Sequence, residues 1–323
     1  MSSVRIADAF DPIAIAEAAQ VIRDGGLVAF PTETVYGLGA DAENPVAVAR
    51  IFEAKRRPLI DPLIVHVADA ESARRYGTLP AAALPLCDRF WPGPLTLVAA
   101  KSPPVPAIVT AGLDTVAIRV PAHPAALALI RAAGRAVAAP SANLFGRVSP
   151  TEAGHVAEQL GGAVDLILDG GPSAVGVEST ILSFEGGRPV VLRAGGTPPE
   201  ELQAVLGPVG IEVGTAFRPS VPGQMKRHYS TRTPLEVAAS GARPEASCAR
   251  IGLLTLTPAA DASKYAAIEV LSPSGDLREA AANLYRALHR LDALGLERIV
   301  ALPVPEEGLG LAIMDRLRRA AAS

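Results

Sequence analysis

The stretch Leu27–Gly39, LVAFPTETVYGLG, brings a short apolar strand directly into a loop of hydroxyls, one carboxylate and two glycines. Upstream, Asp11–Pro12 predicts a capped helix start, and Gly25–Gly26 predicts the end of that helix. This succession favours a fold of alternating helices and strands, in which ligand sites lie where strands open into loops. A turn capped by threonine explains the loop equally well, so the sequence leaves both interpretations open.

Apolar runs and helical spacing alternate along the rest of the first two thirds of the chain. Further strands are predicted at Leu63–Val67, Leu95–Ala99, Val116–Val120, Val137–Ala139, Leu166–Leu168, Thr180–Phe184 and Val190–Arg193. Further helices are predicted near Asn44–Lys55, Ala81–Phe90, Pro124–Ala133, Glu152–Leu160 and Pro199–Leu206. Intermixed strands and helices predict an α/β or α+β fold with a mixed sheet.

Length and punctuation predict two domains and a linker. The chain has 323 residues, and a domain takes ~150 residues. Residues 1–210 form the first predicted domain, and residues 211–235 form a basic, proline-containing linker without helical or strand periodicity. Residues 236–323 form a small second domain of βαβ type. Its predicted strands are Ile251–Leu256, Ile268–Leu271 and Ile299–Leu302, and its predicted helices are Asp276–Leu294 and Leu311–Ala321.

The composition excludes several classes of protein. The formal net charge is 30 − 33 = −3, which excludes a basic nucleic-acid coat and leaves only a local patch for any polyanion. The chain has no run of ~18 apolar residues and no signal-peptide core, so no membrane contact is expected. Cys87 and Cys248 are far apart, which argues against a disulfide framework and favours a cytoplasmic setting.

Lys55 and Arg57 form the first candidate for anion recognition. Lys55 is one of only four lysines in an arginine-rich chain, and both cations lie near the end of a predicted helix. Cations stabilise helix C-termini by roughly 0.3–1 kcal/mol, which is the structural explanation. Aimed into a cleft, the same two cations would bind a phosphate chain.

Three polar residues accompany predicted apolar strands. Asp61 and His66 flank one strand, and Arg119 lies inside another. A buried guanidinium needs an anionic partner or water. A protein carboxylate would make Arg119 structural, whereas a substrate carboxylate would make it functional, and the sequence leaves both open.

Small hydroxyl and amide side chains lie at the ends of three further strands. Ser141, Asn143 and Ser149 follow one strand. Ser179 precedes another, and Arg193 ends a third beside a glycine. Such groups let a nucleotide approach and donate to phosphate oxygens, although Ser149 also fits a plain helix start. The sequence has no serine-nucleophile elbow and no zinc spacing, which argues against acyl-enzyme hydrolysis and metalloproteolysis.

Nine blocks in one order give the sequence a resemblance to a known family. In chain order they are PTETVYGLGAD (31–41), AKRRP (54–58), DPLIVHV (61–67), FWPGPLTLV (90–98), AIRVPAH (117–123), APSANLFGRVSPT (139–151), DGG (169–171), GVESTI (176–181) and LRAG (192–195). Together they resemble the YrdC-type domain of the threonylcarbamoyl-AMP synthase family, over about residues 10–207. The linker with PGQMKRHY (222–229) and the small domain resemble the long form of that family.

The resemblance implies a fold and a reaction. The fold would be α/β, with a twisted mixed sheet of YrdC type, a concave cavity lined by positive charge, and a small Rossmann-like C-terminal domain. The enzyme would be an L-threonylcarbamoyladenylate synthase, a nucleotidyltransferase that converts L-threonine, bicarbonate and ATP into L-threonylcarbamoyl-adenylate and pyrophosphate. Mg²⁺ is expected with ATP, since phosphate oxygens supply much of its ligation. A downstream tRNA-modifying transferase complex would take the product, and direct contact with tRNA stays open.

The resemblance also implies site residues, by position in the matching motifs. Lys55 and Arg57 are the expected catalytic residues, holding the phosphates. The expected ATP-binding residues are Lys55, Arg57, Asp61, Thr115, Ser141, Asn143, Ser149, Arg193 and Tyr229. The expected threonine-binding residues are Thr32, His66, Arg119 and Ser179. His228 and Tyr229 of the linker are expected to close over the nucleotide, and no resident metal site is expected.

The sequence departs from the family pattern at two residues and in the linker. The family commonly has asparagine where Asp61 stands, and a carboxylate near phosphates would repel ATP unless it binds Mg²⁺ or faces away. Ala194 stands where proline is usual, and the linker reads PGQMKRHYST (222–231) where related proteins often show PGM and HYAP.

Two other functions fit parts of the sequence. The first is a related enzyme that acts on a carbamoyl-phosphate-derived adenylate, but that enzyme normally carries further domains. The second is a non-catalytic RNA-binding or ribosome-associated module, for which the basic linker would supply phosphate contacts. The net charge of −3 and the aromatic content of 4% argue against this module.

Overall fold

The computed structural model describes residues 4–214, 220–223, 228–239, 250–259 and 262–322. These residues form a larger sheet of twelve strands and a smaller sheet of four, with helices packed on both. The predicted α/β class is therefore confirmed. Among the two cysteines, Cys87 is buried and free, and Cys248 lies outside the described residues.

The larger sheet is mixed. Its strands are β1 (Ile6–Asp8), β2 (Val28–Phe30), β3 (Gly37–Asp41), β4 (Ile64–His66), β5 (Gly77–Thr78), β6 (Leu95–Lys101), β7 (Thr115–Arg119), β8 (Val137–Ala138), β9 (Leu166–Asp169), β10 (Thr180–Ser183), β11 (Val190–Arg193) and β12 (Gly210–Ile211). They follow the order β1-β9-β2-β3-β8-β4-β7-β6-β10-β11-β12, and β5 pairs with β6 beside this path. Strand β4 pairs with β7 in parallel, whereas β6 and β8 pair with their neighbours β7 and β4 in antiparallel.

Helices connect the strands of this sheet. They are α1 (Pro12–Arg23), α2 (Pro45–Lys55), α3 (Ala70–Ala73), α4 (Leu84–Phe90), α5 (Pro124–Ala133), α6 (Ala153–Leu160) and α7 (Pro199–Leu206). The predicted cap at Asp11 is confirmed, since Asp11 accepts from the backbone N–H of Ile13 at 2.9 Å. Asn44 caps α2 in the same way and accepts from the backbone N–H of Val46 at 3.0 Å. Both caps precede proline at the first helical position, where a missing N–H costs no hydrogen bond.

Residues 37–41 form a strand, so the prediction of a loop over all of 31–39 is wrong. Strand β3 pairs antiparallel with β2, with Gly37 opposite Phe30. A Cβ at Gly39 would lie only 2.8 Å from the Phe30 ring. Glycine therefore makes room between two strands here, rather than allowing an unusual turn. The polar loop shortens to the residues between β2 and β3.

The smaller sheet lies in the C-terminal part of the chain and is parallel throughout. Its strands are β13 (Leu235–Val237), β14 (Ile251–Thr255), β15 (Ala267–Val270) and β16 (Arg298–Ala301), in the order β13-β16-β14-β15. Helices α8 (Leu277–Ala293) and α9 (Gly310–Ala321) pack on this sheet and on each other. Parallel β15 and β16 with α8 between them confirm the βαβ character, whereas a closer likeness to a Rossmann unit stays a prediction.

One hydrophobic cluster spans both parts of the molecule. Val177 and Ala194 of the larger unit, together with Tyr229, belong to the same buried cluster as Leu284 of α8 and Leu317 of α9. The C-terminal helices therefore press against the loops at the ends of β10 and β11. Within the described residues, no helix combines the length and apolar character that crossing a bilayer requires.

Candidate active site

A cleft lies where the loops after β2 and β8 and the loop before β10 meet the linker. The sheet order explains this convergence, because β2, β3, β8, β4 and β7 are consecutive neighbours. The predicted site residues that line the cleft are Thr32, Arg57, His66, Arg119, Ser141, Ser179, Arg193, His228 and Tyr229. Residues far apart in sequence are therefore brought to one concave surface.

The remaining predicted site residues do not line the cleft. Lys55, Asp61, Asn143 and Ser149 are buried directly behind its wall, each bonded to a residue of the cleft or its loops. Thr115 lies at the opposite end of β7, beside a separate groove. It precedes Arg119 by four residues, which separates the two by roughly 13 Å along an extended strand.

Lys55, the last residue of α2, holds the loop that carries Ser141. Its Nζ donates to the carbonyl oxygens of Ser141 and Asn143, at 2.5 Å each. Burial lowers the pKa of Lys55 well below its ordinary value, and the charge of Arg57 lowers it further. Its observed role is to fix the floor of the cleft, and direct contact with phosphate stays a prediction.

Arg57 faces the cleft and is paired with Asp61 behind it. Arg57 Nη2 lies 2.9 Å from Asp61 Oδ2, and the guanidinium also donates to the carbonyl oxygens of Asp61 and Pro62. Burial raises the pKa of Asp61, while the charge of Arg57 opposes that rise. Asp61 has no exposed surface. The carboxylate that departs from the family pattern therefore faces away from the cleft and neutralises a cation there.

Arg119 has a protein carboxylate as its partner. Its Nη2 donates to Glu33 Oε1 at 2.5 Å, and its Nη1 donates to Thr34 Oγ1 at 2.9 Å. The other oxygen of Glu33 accepts from the backbone N–H of Ala122 at 3.0 Å. The structural interpretation of Arg119 is thus realised, and its contact with a substrate carboxylate stays a prediction.

His66 ends β4 as a buried, uncharged imidazole. Burial lowers its pKa to about 3, and the charge of Arg119 acts in the same direction. Its Nδ1 finds no hydrogen-bond partner among the described residues. An uncharged imidazole in the lining of a cleft can bond to a ligand without adding charge.

Ser179 and Arg193 connect the larger unit to the linker. Arg193 Nη2 donates to the carbonyl oxygen of Ser179 at 2.9 Å and to its Oγ at 3.0 Å. Arg193 Nη1 donates to the carbonyl oxygen of Pro222 at 3.2 Å. A cation predicted for phosphate binding therefore also ties the linker to the cleft.

Tyr229 closes one side of the cleft in an unusual backbone conformation. Its φ is 64°, a left-handed value that costs a non-glycine residue about 1–3 kcal/mol. The surrounding packing must supply that energy. Burial raises the pKa of Tyr229 to about 12, so the phenol stays protonated. Residues 224–227 of the predicted linker motif lie outside the described residues.

Sequence motifs gave no individual role to Glu33 or Glu178 and did not single out Tyr285 or Arg316. All four are buried beside the cleft or behind it. A signal for Arg316 was present, because it lies four residues from the buried Ala312 on an otherwise apolar face of α9. A charge at a core position requires a buried partner, and Glu178 is that partner, with Arg316 Nε 3.0 Å from its Oε2.

Comparison with known proteins gives two matching family models. The Sua5_yciO_yrdC model, described as "Telomere recombination", matches residues 20–195. The model described as "Threonylcarbamoyl-AMP synthase, C-terminal domain" matches residues 198–322. Together they span the larger unit, the linker and the smaller unit.

Individual relatives agree with these models. The chain is 44% identical over 320 residues to the threonylcarbamoyl-AMP synthase of Bacillus subtilis, covering 95% of this chain and 92% of the relative. The crystal structure of Pyrococcus abyssi Sua5 complexed with L-threonine superposes with a TM-score of 0.92 at 41% identity, covering 99% of this chain and 98% of that one. A putative threonylcarbamoyl-AMP synthase of Mycobacterium tuberculosis is 39% identical but covers only 60% of this chain and 89% of its own length.

Proposed function

The chain belongs to the Sua5/YciO/YrdC family, and we propose that its cleft makes L-threonylcarbamoyl-adenylate from L-threonine, bicarbonate and ATP. One observation carries this proposal. The guanidinium groups of Arg57, Arg119 and Arg193 come from three separate elements and converge on one enclosed cleft beside small hydroxyls. Such a site fits two anionic substrates held together, a carbamate and a triphosphate.

The reaction needs positioning and charge neutralisation rather than a covalent nucleophile. Neutral threonine amine takes up the carbon of bicarbonate and becomes a carbamate, with loss of water. A carbamate oxygen then attacks the α-phosphorus of ATP, and the bond from that phosphorus to the bridging oxygen breaks. Pyrophosphate leaves with the electron pair. Arg57 and Arg193 are the cleft cations placed to neutralise the charge that develops on the phosphates.

Water must be kept from this cleft, because a carbamate decomposes and a mixed anhydride hydrolyses. His66 and Tyr229 suit that need, since both are buried and both are uncharged near neutral pH. A neutral His66 can bond to a substrate oxygen or amine without taking the proton that the amine must lose.

Mg²⁺ would enter with ATP as part of the substrate. The three carboxylates beside the cleft, on Glu33, Asp61 and Glu178, are each paired with an arginine. Phosphate oxygens and water would therefore supply most of the ligands of the ion, as is usual for magnesium nucleotides.

The product is a reactive anhydride, so its consumer must act soon after its release. We propose a downstream transferase complex that moves the threonylcarbamoyl group to a tRNA adenosine, in the cytoplasm. The linker would be the first place to look for direct tRNA contact. The alternative of a non-catalytic RNA-binding module is not favoured, because relatives that match nearly the whole chain carry the name of the enzyme.

A pyrophosphate-release assay tests the proposal. Purified protein receives Mg-ATP and bicarbonate, with L-threonine, with L-serine or with no amino acid. We expect release that needs both threonine and bicarbonate and that is lost in Lys55→Ala. A folded protein that binds ATP but releases no pyrophosphate under any of these conditions contradicts the proposal.

A further inference from the structure

We infer that the C-terminal domain completes the catalytic cleft. Tyr285 of α8 and Arg316 of α9 act as positioning residues, and they act through the carboxylate of Glu178 in the cleft wall. The test of these roles measures pyrophosphate release and therefore rests on the proposed synthase function. The smaller domain is thus a working part of the cleft rather than an independent appendage.

Glu178 is held from both sides of the domain boundary. From the larger unit, Ser149 Oγ donates to Glu178 Oε1 at 2.7 Å. From the smaller unit, the Tyr285 hydroxyl donates to Oε2 at 2.9 Å, and Arg316 Nε donates to the same oxygen at 3.0 Å. The C-terminal donors therefore determine where the carboxylate lies, and the carboxylate determines where the Ser149 hydroxyl lies.

The same two side chains also hold the tyrosine of the linker. The guanidinium of Arg316 lies over the Tyr229 ring, 5.3 Å from its centroid. The rings of Tyr229 and Tyr285 stack with centroids 5.8 Å apart. Tyr229 has a strained backbone and faces the cleft, so helices α8 and α9 supply packing that keeps it there.

The seat of α8 on the larger unit is fixed by close backbone contact. A Cβ at Gly176 would lie 2.3 Å from the carbonyl oxygen of Ala281 and 2.4 Å from the Cα of Ala282, both in α8. Farther along the helix, the His289 ring stacks on His155 of α6 at 3.8 Å. With contacts at two turns of the helix, α8 cannot slide without moving the loop that bears Glu178.

The charge of Glu178 depends on its C-terminal partner. Burial raises its pKa, but the charges of Arg316 and Arg193 outweigh burial and hold it at about 2. The charged or titratable groups that interact with this carboxylate are Arg193 of β11, His228 and Tyr229 of the linker, Tyr285 of α8 and Arg316 of α9, and Asp315 is paired with Arg316. Without Arg316, burial is opposed chiefly by Arg193, so the pKa of Glu178 rises.

The experiment compares variants of the full chain by kcat/KM for threonine-dependent pyrophosphate release. Arg316→Met removes the charge, and Tyr285→Phe removes one hydroxyl while keeping the ring. We expect a loss of about a hundredfold for the first, typical of a misplaced reacting group, and about tenfold for the second. Arg318→Met is the matched control, because Arg318 lies on the same helix but is exposed, and it should stay within about twofold of wild type.

A pH series separates positioning from simple loss of packing. Relative to wild type, the activity of Arg316→Met should rise as the pH increases through the raised pKa of Glu178, because a higher pH ionises the Glu178 carboxyl again. The Arg318→Met ratio should stay constant. In a Glu178→Gln background, Arg316→Met should cost much less activity than it does in the wild-type background, because only its contact with Tyr229 is then lost, and it should lose this pH dependence. Arg316→Gln, which also removes the charge, carries the same test if the methionine variant does not fold.

Two outcomes overturn the inference. The first is an Arg316→Met loss that is independent of pH. The second is a loss that persists undiminished when Glu178 is already glutamine. A wild-type chain that releases no pyrophosphate contradicts the proposed function instead. In that case the positioning roles are tested by calorimetric dissociation constants for ATP and threonine, measured on the same variants over the same pH series. The same two outcomes, now measured as losses of affinity, overturn the inference.

Discussion

Arginine–carboxylate pairs around the cleft and on the outer surface use the same chemistry with opposite consequences. The buried pairs at the cleft are Arg57–Asp61, Arg119–Glu33 and Arg316–Glu178. On the surface, Arg318 and Glu306 pair with about half of each side chain exposed. A buried charge that loses its partner costs about 3–5 kcal/mol, whereas an exposed pair contributes about 0–1 kcal/mol.

Buried carboxylate partners allow the cleft to keep several cations in a small volume. Arg57 and Arg119 each have a carboxylate partner, so these partners offset part of the repulsion among the positive charges that line the cleft. A substrate anion then meets arginines that are already oriented. It either displaces the protein carboxylate from the arginine or binds the arginine beside it. The buried pairs therefore fix the orientation of the arginine side chains at the cleft, whereas the surface pairs contribute little to stability.

Breaking the Arg57–Asp61 pair should have the largest effect. Arg57→Met leaves Asp61 buried and unpaired, so we expect the free energy of unfolding to fall by about 3–5 kcal/mol and pyrophosphate release to vanish. Urea denaturation and the release assay measure the two effects. Adding Asp61→Asn should restore part of the stability but no activity. If the double variant regains activity, Arg57 acts on stability alone.

The next largest effect should be on the pH dependence of stability, which depends on two histidines that are buried without a charge. His66 and His228 both have their pKa lowered to about 3 by burial, against 6.5 for an ordinary histidine. The unfolded chain takes up protons below pH 6.5 and the folded chain does not. Stability is therefore complete above that pH and falls toward pH 3, by up to about 1.4 kcal/mol per pH unit for each group.

Denaturation at a series of pH values from 7 to 4 checks this slope. His66→Gln should reduce it, because glutamine carries no proton to release on folding. A variant with an unchanged slope shows that other groups cause the acid instability.

A smaller effect is expected where a carboxylate competes with substrate. Glu33→Gln keeps a hydrogen-bond acceptor for Arg119 but removes the opposing charge. If Arg119 binds the threonine carboxylate, the KM for threonine should fall several-fold while the KM for ATP stays constant. Steady-state kinetics with each substrate varied in turn measure both values. A rise in the KM for threonine means that Glu33 orients Arg119 and does not compete.

The smallest effect should come from the surface. Glu306→Gln removes the partner of Arg318, and we expect the free energy of unfolding to change by less than about 0.5 kcal/mol, with kcat and KM unchanged. Urea denaturation in low and high salt provides the check. A loss as large as that of a cleft pair would erase the distinction between buried and exposed pairs.

Residue patterns predicted most of the fold and the membership of the cleft. Periodicity and capping signals located most helices and strands, because local spacing determines them. The strand at Gly37–Asp41 was missed since its glycines respond to Phe30, a neighbour across the sheet. Arg57, Ser141 and Arg193, which motif positions single out, line the cleft, and their contacts with substrate stay predictions.

Depth could not be predicted from the same patterns. Lys55 and Arg57 are two residues apart, yet one is behind the wall and the other is in it. Thr115 lies on the same strand as Arg119 but at the opposite end. The partner of Arg316 depends on how the two domains dock, and no local sequence pattern contains that information. Side-chain direction and domain packing are tertiary properties.

The sequence distance between Glu178 and Arg316 has a consequence for protein synthesis. The two residues lie 138 positions apart. At about 5–20 residues per second, a ribosome adds Arg316 roughly 7–28 s after Glu178. For most of that interval the growing chain contains every cleft residue of the larger unit, but the carboxylate of Glu178 lacks the cation that holds it. If Arg316 has the inferred role, we expect a nascent chain to lack full activity until α9 has been translated and has docked.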